Sequence, residues 1–267
     1  MRREENNGLL YYRFHSLAAY GEVVHGVFTR LGGISRPPYH WLNVSKSVGD
    51  DHEAVDANHD LVCRTLGIGR GDIAMAYQVH GANVAVVGSE DRGRVALQTD
   101  ALVTHRPGVF LMLRFADCVP MAFYDPVQHA IGLAHAGWKG TLGKVAQKTV
   151  EAMMETCGSR PADLIACIGP SIGPCCYQIG GNVAKLVNEV FPQQPQLLRQ
   201  QGDGSRHFDL WEANRLELAA LGVRQVEVSG LCTACHNDEF FSHRADNGRT
   251  GRFAAVMGLT HGRIEQR

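Results

Sequence analysis

The sequence predicts an α+β fold in which helices cover layered β-sheets, and three observations lead to that class. Short runs of β-branched and aliphatic residues follow one another with no helix between them, as at residues 109–113, 119–124 and 131–134. Longer segments elsewhere repeat apolar residues at helical spacing. Because parallel strands need a crossover connection, the uninterrupted runs exclude a strict alternation of strand and helix.

Nine segments are predicted as strands from this β-branched and aliphatic content. In chain order they are residues 23–29, 73–79, 84–87, 109–113, 119–124, 131–134, 164–168, 225–228 and 253–257. Glycine and proline residues are scattered between them as turn signals, and no internal repeat is visible. We therefore expect one continuous domain over residues 1–267.

Four helices are predicted from amphipathic spacing and from signals at their ends. The first, residues 51–66, carries acidic residues in its first turn, which suits the helix dipole. The last begins at Asp209, whose side chain can cap it with Glu212 three positions on, and ends at Gly222. The other two cover residues 141–157, before Gly158, and residues 183–191, before Pro192.

Charge and composition narrow the function classes. The chain has 26 Lys and Arg residues against 27 Asp and Glu, a net charge of -1, so its overall charge does not favour nucleic acid or an anionic membrane. The N-terminus places Glu4 and Glu5 where a signal peptide needs apolar residues, and no apolar run is long enough to span a bilayer. We expect a cytoplasmic enzyme acting on small molecules, with its eight cysteines as thiols or metal ligands. The sequence does not indicate an oligomeric state.

Three short segments place metal-binding residue types beside small residues: His80 in QVHG, Cys118 in ADCVP and His135 in HAGW. Two imidazoles and one thiolate form a set of three zinc ligands that leaves a fourth position for water or substrate. The residue types also fit two buried core histidines with an apolar thiol. They fit nearly as well a Cys118 nucleophile with His135 or His80 as its base and Asp117 nearby.

Two polar segments near the N-terminus are candidates for an anion site. Arg30 stands at the edge of a Gly-Gly turn in FTRLGG, where backbone amides and a guanidinium can hold phosphate. A glycine turn beside a solvated arginine fits that segment as well. Asn43 lies in LNVSKSVGDD, which is also typical of a loop that leads into a helix cap.

The remaining cysteines form two motifs. Cys232, Cys235 and His236 match the spacing of a c-type haem attachment site, which we reject because such haem requires export. Together with the adjacent pair Cys175 and Cys176, the same two cysteines could form a four-thiolate zinc site. Two cysteines that are adjacent in sequence are poorly placed to bind one metal ion together, so we expect structural thiols here.

The ordered set of motifs resembles the laccase-domain or polyphenol oxidase-type family of zinc-dependent purine nucleoside phosphorylases. The matching segments are FTRLGG, LNVSKSVGDD, QVHG, DALVT, ADCVP, HAGWKG, IGPSIGPCCYQIG and CTACHNDEFFSHRADNGRTGR. No single segment is specific by itself. In order they cover nearly the whole chain, and that order makes the resemblance specific.

The resemblance implies a single-domain αββα layered sandwich with His80, Cys118 and His135 as ligands of zinc, or alternatively of copper. It implies phosphorolysis of adenosine, inosine and S-methyl-5'-thioadenosine, with adenosine deamination as a second activity. Arg30 matches the anion-binding arginine of the family, and Asn43 a polar position beside the site. The alternatives are a cysteine-nucleophile hydrolase or amidase acting on cell-wall precursors, and a copper-dependent polyphenol oxidase.

Overall fold

Two large β-sheets dominate the computed structural model, which describes residues 1–260. The first has seven strands in the order β1 (Arg2–Asn6), β2 (Leu9–Arg13), β3 (Val23–Phe28), β16 (Phe253–Leu259), β8 (Phe110–Phe115), β4 (Ile73–Ala76) and β6 (Val95–Ala96). The second has six strands in the order β15 (Gln225–Val228), β11 (Ile165–Ile168), β9 (Val119–Asp125), β10 (Ala130–Ala136), β7 (Ala101–Thr104) and β5 (Val84–Val86). A small third sheet contains β12 (Gln178–Ile179), β14 (Arg206–Phe208) and β13 (Leu198–Gln200).

Six α-helices accompany these sheets in the described part of the chain. They are α1 (His15–Ala18), α2 (His52–Leu66), α3 (Trp138–Leu142), α4 (Val145–Cys157), α5 (Gly181–Val190) and α6 (Leu210–Ala220). Across residues 1–260, none of them has the length and apolar character that a membrane crossing requires. The caps predicted from the sequence are present, since Asp51 accepts a hydrogen bond from the backbone of Glu53 and Asp209 from that of Glu212.

Three apolar cores confirm the αββα order of layers. Side chains of α2 pack with those of the first sheet, and side chains of α4 and α6 pack on the second sheet. The third core lies between the two sheets, where Leu113 and Phe253 of the first share a cluster with Leu133 of the second. Each sheet is therefore covered on both faces.

Strand β9 shows how the sequence produces a two-sided layer. Met121 and Phe123 belong to the core beneath the helices, whereas Ala122 and Tyr124 belong to the core between the sheets. Successive side chains of a strand point to opposite faces, and here both faces are buried. The strand is therefore an almost continuous apolar run, as the sequence analysis predicted for residues 119–124.

Two predicted elements differ from the structure, each for a local reason. The helix predicted over residues 141–157 is divided into α3 and α4, because Lys144 takes a left-handed conformation with φ of 65°. The strand predicted over residues 73–79 ends at Ala76. Beyond it, the side-chain amide of Gln78 bonds to both the N–H and the C=O of Arg114 and replaces the backbone ladder there.

Candidate metal centre

His80, Cys118 and His135 converge at one end of the second sheet. Their ligand atoms lie within 4.8 Å of one another. Cys118 directly precedes β9, and His135 lies in β10 opposite Pro120, so antiparallel pairing brings the thiol and the imidazole together. His80 arrives from the loop after β4, and its ring centroid is 4.9 Å from that of His135. The structure thus joins three residues from distant parts of the sequence.

A buried carboxylate, Asp100, orients this cluster. Its Oδ1 lies 2.9 Å from Nδ1 of His135 and accepts a hydrogen bond from the backbone N–H of His80. Its Oδ2 accepts hydrogen bonds from the backbone N–H groups of Val79 and Gly81. Because Nδ1 of His135 donates to the carboxylate, its Nε2 is left as the ligand atom. A carboxylate behind a histidine is a common support of a metal ligand.

The charges of the cluster favour a thiolate. Burial disfavours the charged form of Cys118, but the neighbouring His135 and hydrogen bonds from both imidazoles outweigh it, so the pKa of Cys118 is lowered. Burial likewise acts against protonated His135, whose pKa is nevertheless raised by Cys118 and Asp100. Burial also opposes ionisation of Asp100, yet hydrogen bonds from His135 and the backbone lower its pKa overall. A preformed thiolate suits both metal binding and nucleophilic chemistry.

The backbone around the cluster is closely fitted. A Cβ on Gly137 would lie 2.9 Å from Sγ of Cys118, so only glycine leaves room for the sulfur. His80 and Asp117 have φ angles of 60° and 81°, an uncommon conformation for residues other than glycine. Such conformations persist where the surroundings impose them, and they often occur at functional sites.

A cleft opens on the cluster and has two lobes that share His80, Asp117, Cys118, Trp138, Ile172 and Tyr177. The basic lobe, of ≈ 540 Å³, is further lined by Ser45, Ser47, Gln78, Arg114, His243, Arg244 and Arg252. The apolar lobe, of ≈ 230 Å³, is further lined by Val79, Gly137, Lys139 and Leu210. The cluster lies where the two lobes meet.

The three arginines of the basic lobe carry charge that no carboxylate balances directly. Among residues 1–260, none of Arg114, Arg244 and Arg252 has a carboxylate oxygen within ion-pair distance. Burial, and then the proximity of Arg252, lower the pKa of Arg114. Guanidinium groups remain protonated under such conditions. The lobe therefore offers a cationic surface suited to an anion.

The structure does not bring Arg30 to this cleft. Arg30 lines a separate pocket of ≈ 780 Å³ that has no lining residue in common with the cleft. Its guanidinium donates to the backbone oxygens of His40 and Asn237 and to the side chain of Asn237. It also lies 3.6 Å from a carboxylate oxygen of Asp246 and stacks over the ring of Phe241. This arginine is engaged in holding loops together.

Asn43 is fully buried beside the cleft and supports its wall. Its Oδ1 accepts hydrogen bonds from the backbone N–H groups of Ser45 and Arg252. Its amide group donates to the backbone of Ser45 and to the carboxylate of Asp50. Asn43 therefore positions two residues that line the basic lobe and has no contact of its own with the cleft.

Sequence reasoning missed the roles of Asp100, Arg114 and Arg252. Asp100 is the first residue of the segment DALVT. An acidic residue directly before a buried four-residue strand could have indicated a buried functional carboxylate. Arg114 is a half-buried charge within an otherwise buried strand. Arg252 follows the glycine of TGR in the final motif. What no sequence pattern shows is that these two arginines meet in one cleft.

Comparisons with known proteins place these features in a wider context. The family model described as multi-copper polyphenol oxidoreductase laccase matches residues 24–260. "Purine nucleoside phosphorylase YlmD" of Bacillus subtilis is 37% identical over 247 residues, which are 89% of this chain and 89% of that protein. "Purine nucleoside phosphorylase" of Deinococcus radiodurans is 41% identical over 237 residues, with 89% of each chain covered. The crystal structure of YlmD from Geobacillus stearothermophilus superimposes with a TM-score of 0.91 at 37% identity, covering 97% of this chain and 98% of that one.

Proposed function

The chain belongs to the family described as multi-copper polyphenol oxidoreductase laccase, and from the names of its relatives and the geometry of its cleft we propose that it is a zinc-dependent purine nucleoside phosphorylase. One observation carries the proposal: a basic lobe and an apolar lobe meet at His80 and Cys118, with His135 beside them in the wall of the basic lobe. Phosphorolysis needs an anion site and a nucleoside site that share one reacting centre. The names of the relatives in Bacillus subtilis and Deinococcus radiodurans support the same activity. We propose it for residues 1–267 acting as one domain.

The donor atoms fit zinc. Two imidazole nitrogens and one thiolate sulfur are borderline and soft ligands, and the cleft leaves the remaining position accessible. Asp100 holds His135 in the tautomer that presents Nε2. When bound, zinc supplies a Lewis acid beside the reacting sugar.

Phosphate is the ligand we assign to the basic lobe, held by Arg114, Arg252 and the hydroxyl groups of Ser45 and Ser47. In the reaction, a phosphate oxygen forms a bond to the anomeric carbon while the bond from that carbon to the base breaks. The base leaves with the bonding electron pair and takes up a proton. Fixed guanidinium groups orient the nucleophile without giving it a proton, because arginine stays charged.

The purine is assigned to the apolar lobe, where Val79 and Leu210 add aliphatic surface to the aromatic side chains that line both lobes. Adenosine, inosine and S-methyl-5'-thioadenosine are the proposed substrates. Adenosine deamination is proposed as a second activity of the same centre. It consumes water and no phosphate, so it should not depend on the basic lobe.

A cysteine nucleophile is the second candidate, because Cys118, His135 and Asp100 lie in the order of a nucleophile, a base and an orienting acid. The second imidazole, that of His80, also hydrogen-bonds to the thiolate. Two imidazoles around one sulfur favour a ligand set over a triad. The same donors occur in blue-copper sites, whose strong visible absorption distinguishes copper from zinc.

The experiment that tests the proposal follows base release from each nucleoside over a phosphate titration, before and after chelation and again after zinc is restored. We expect base release that rises with phosphate, stops on chelation and returns with zinc. Turnover that survives chelation would favour the Cys118 nucleophile. Turnover restored by copper and not by zinc would assign the centre to copper.

A further inference from the structure

Four cysteines outside the cleft converge on one point. Cys175, Cys176, Cys232 and Cys235 have sulfur atoms that all lie within 4.8 Å of one another. Sγ of Cys235 is 3.5 Å from that of Cys175 and 3.4 Å from that of Cys176. We propose that these four thiols form a second zinc site, a closed four-thiolate site that braces the wall of the cleft. The site is independent of the proposed function.

The sulfur separations match a tetrahedral zinc site. With zinc–sulfur bonds of about 2.3 Å, the sulfurs of such a site lie roughly 3.8 Å apart. All four cysteines are free thiols. Their spacing is too long for disulfides, whose sulfurs are about 2.05 Å apart. Four thiolates around one divalent ion leave no position for substrate, which is the pattern of a structural site.

Two parallel strands explain how adjacent cysteines can chelate together. The loops that carry the two pairs follow β11 and β15, which are parallel neighbours, so both loops leave the same edge of the sheet. The pairing continues as a bridge between Ser171 and Cys232. The next turn folds back, because the N–H groups of Cys176 and Tyr177 both donate to the carbonyl of Gly173. This turn directs both neighbouring sulfurs toward Cys235.

The surroundings of Cys232 suit a thiolate ligand. This cysteine is buried, and the backbone N–H of Gly173 donates to its sulfur at 3.2 Å. Backbone N–H bonds to sulfur support a metal-bound thiolate in the same way that a carboxylate supports a metal-bound histidine. A Cβ on Gly173 would lie 2.7 Å from the ring of Trp211, so the loop needs glycine at this point.

The site joins segments that line the cleft. The loop of Cys175 and Cys176 continues into Tyr177, which lines both lobes. The guanidinium of Arg244 donates to the carbonyl of Cys176, and the hydroxyl of Thr233, next to Cys232, donates to Asp117 beside the metal centre. A metal that joins the two loops therefore holds the cleft wall in place without touching substrate.

Zinc counting tests the site. Protein purified without chelator and saturated with zinc should hold two zinc ions per chain. Cys232→Ser with Cys235→Ser should hold one, and Cys118→Ser should also hold one. Cys157→Ser is the matched control, since this thiol lies outside both clusters, and it should keep two. One zinc in the wild type together with none in Cys118→Ser would overturn the proposal.

Cobalt titration of the metal-free protein tests the site without any change to its four cysteines. A site of four thiolates gives stronger thiolate-to-cobalt charge-transfer absorption than a site with one thiolate. We expect this absorption to develop in the wild type and in Cys118→Ser alike. Its absence from both, or the mass of a disulfide joining these cysteines in protein prepared without oxygen, would overturn the zinc site.

The structural role proposed for the four-cysteine site can be measured through protein stability and substrate KM. We expect Cys232→Ser with Cys235→Ser to lower Tm by about 5–10 °C, whereas Cys157→Ser should not. The double variant should raise the KM of nucleoside and of phosphate several-fold while kcat changes less, because Tyr177 and Ile172 line both lobes. Only this kinetic readout rests on the proposed phosphorylase activity. An unchanged Tm with two zinc ions retained would contradict the brace.

Discussion

The cleft and the pocket around Arg30 both contain arginine, histidine and aspartate, yet their charges are arranged differently. The Arg30 pocket is the larger of the two, at ≈ 780 Å³ against ≈ 540 Å³ for the basic lobe of the cleft. The guanidinium of Arg30 is buried and donates to three acceptors beside the carboxylate of Asp246. In the cleft, Arg114 and Arg252 also donate to backbone carbonyls, but neither has a carboxylate at ion-pair distance in the described chain.

This difference shows that cavity size and residue type do not identify a reactive site. An arginine whose charge is already paired with a carboxylate contributes to the fold, whereas one left without a counter-charge is available to a ligand. Four substitutions test the distinction between the two regions.

The largest effect is expected for Cys118→Ser. Serine is a poor zinc ligand, so the cleft should lose its metal and several kcal/mol of transition-state stabilisation, or about 10³-fold in kcat/KM. Steady-state kinetics with metal analysis measure the change. Full activity with zinc retained in this variant would show that Cys118 is not a ligand of a catalytic metal.

A smaller effect is expected for Arg252→Gln, which removes the charged contact that we propose for phosphate. Losing a preorganised contact of this kind costs about 10²–10³-fold in rate, so phosphate-dependent cleavage should fall by that amount. Adenosine deamination should be largely retained. Arg249→Gln, in the Arg30 pocket, is the control and should not change phosphate dependence. Equal loss of both activities in folded, zinc-loaded Arg252→Gln protein would show that the basic lobe is not a selective phosphate site.

Asp100→Asn should reduce zinc affinity or activity by about 10–100-fold, because it weakens the support of His135. The pKa of Asp100 is lowered, so its carboxylate support is present above the ordinary pKa of an aspartate and is lost as pH falls through the lowered value. Asp125→Asn is a matched control, since Asp125 is also fully buried and accepts from backbone N–H groups. Unchanged zinc affinity in Asp100→Asn would show that the carboxylate does not support the centre.

The smallest effect on activity is expected for Arg30→Ala. Its removal leaves the carbonyls of His40 and Asn237 without their guanidinium donor and Asp246 without its ion pair, so stability should fall by about 1–3 kcal/mol. The phosphate KM should change by less than about threefold, since Arg30 does not line the cleft. Denaturant unfolding and a phosphate titration measure the two effects. A 10²-fold rise in the phosphate KM of the folded variant would show that Arg30 does contribute to phosphate binding.

Much of the fold follows from apolar periodicity alone. Strands β8, β9, β10 and β16 are buried on both faces, so their aliphatic runs are visible in the sequence. Strand β1 was missed because its residues RREEN are charged, and only its pairing with β2 makes it a strand. Strand β7 was missed because four residues carry little periodicity. The strand propensity of a short segment gives no information about partner strands that come from distant parts of the chain.

The candidate site was only partly accessible from sequence. His80, Cys118 and His135 could be selected because their residue types suggest a ligand set. Arg30 and Asn43 were also of suitable residue type for an anion site. In the structure, however, both side chains form hydrogen bonds that hold loops together. Whether a polar side chain is satisfied by its neighbours depends on tertiary contacts, and spacing along the chain does not reveal them.

The most direct measurement of the central claim is phosphorus NMR of zinc-loaded protein with adenosine and inorganic phosphate. The account predicts that the phosphate signal is converted to that of a sugar 1-phosphate ester while the free base accumulates in equal amount. The same sample without zinc should show neither product. Release of the base without any phosphate ester would identify a hydrolase and contradict the proposed phosphorylase.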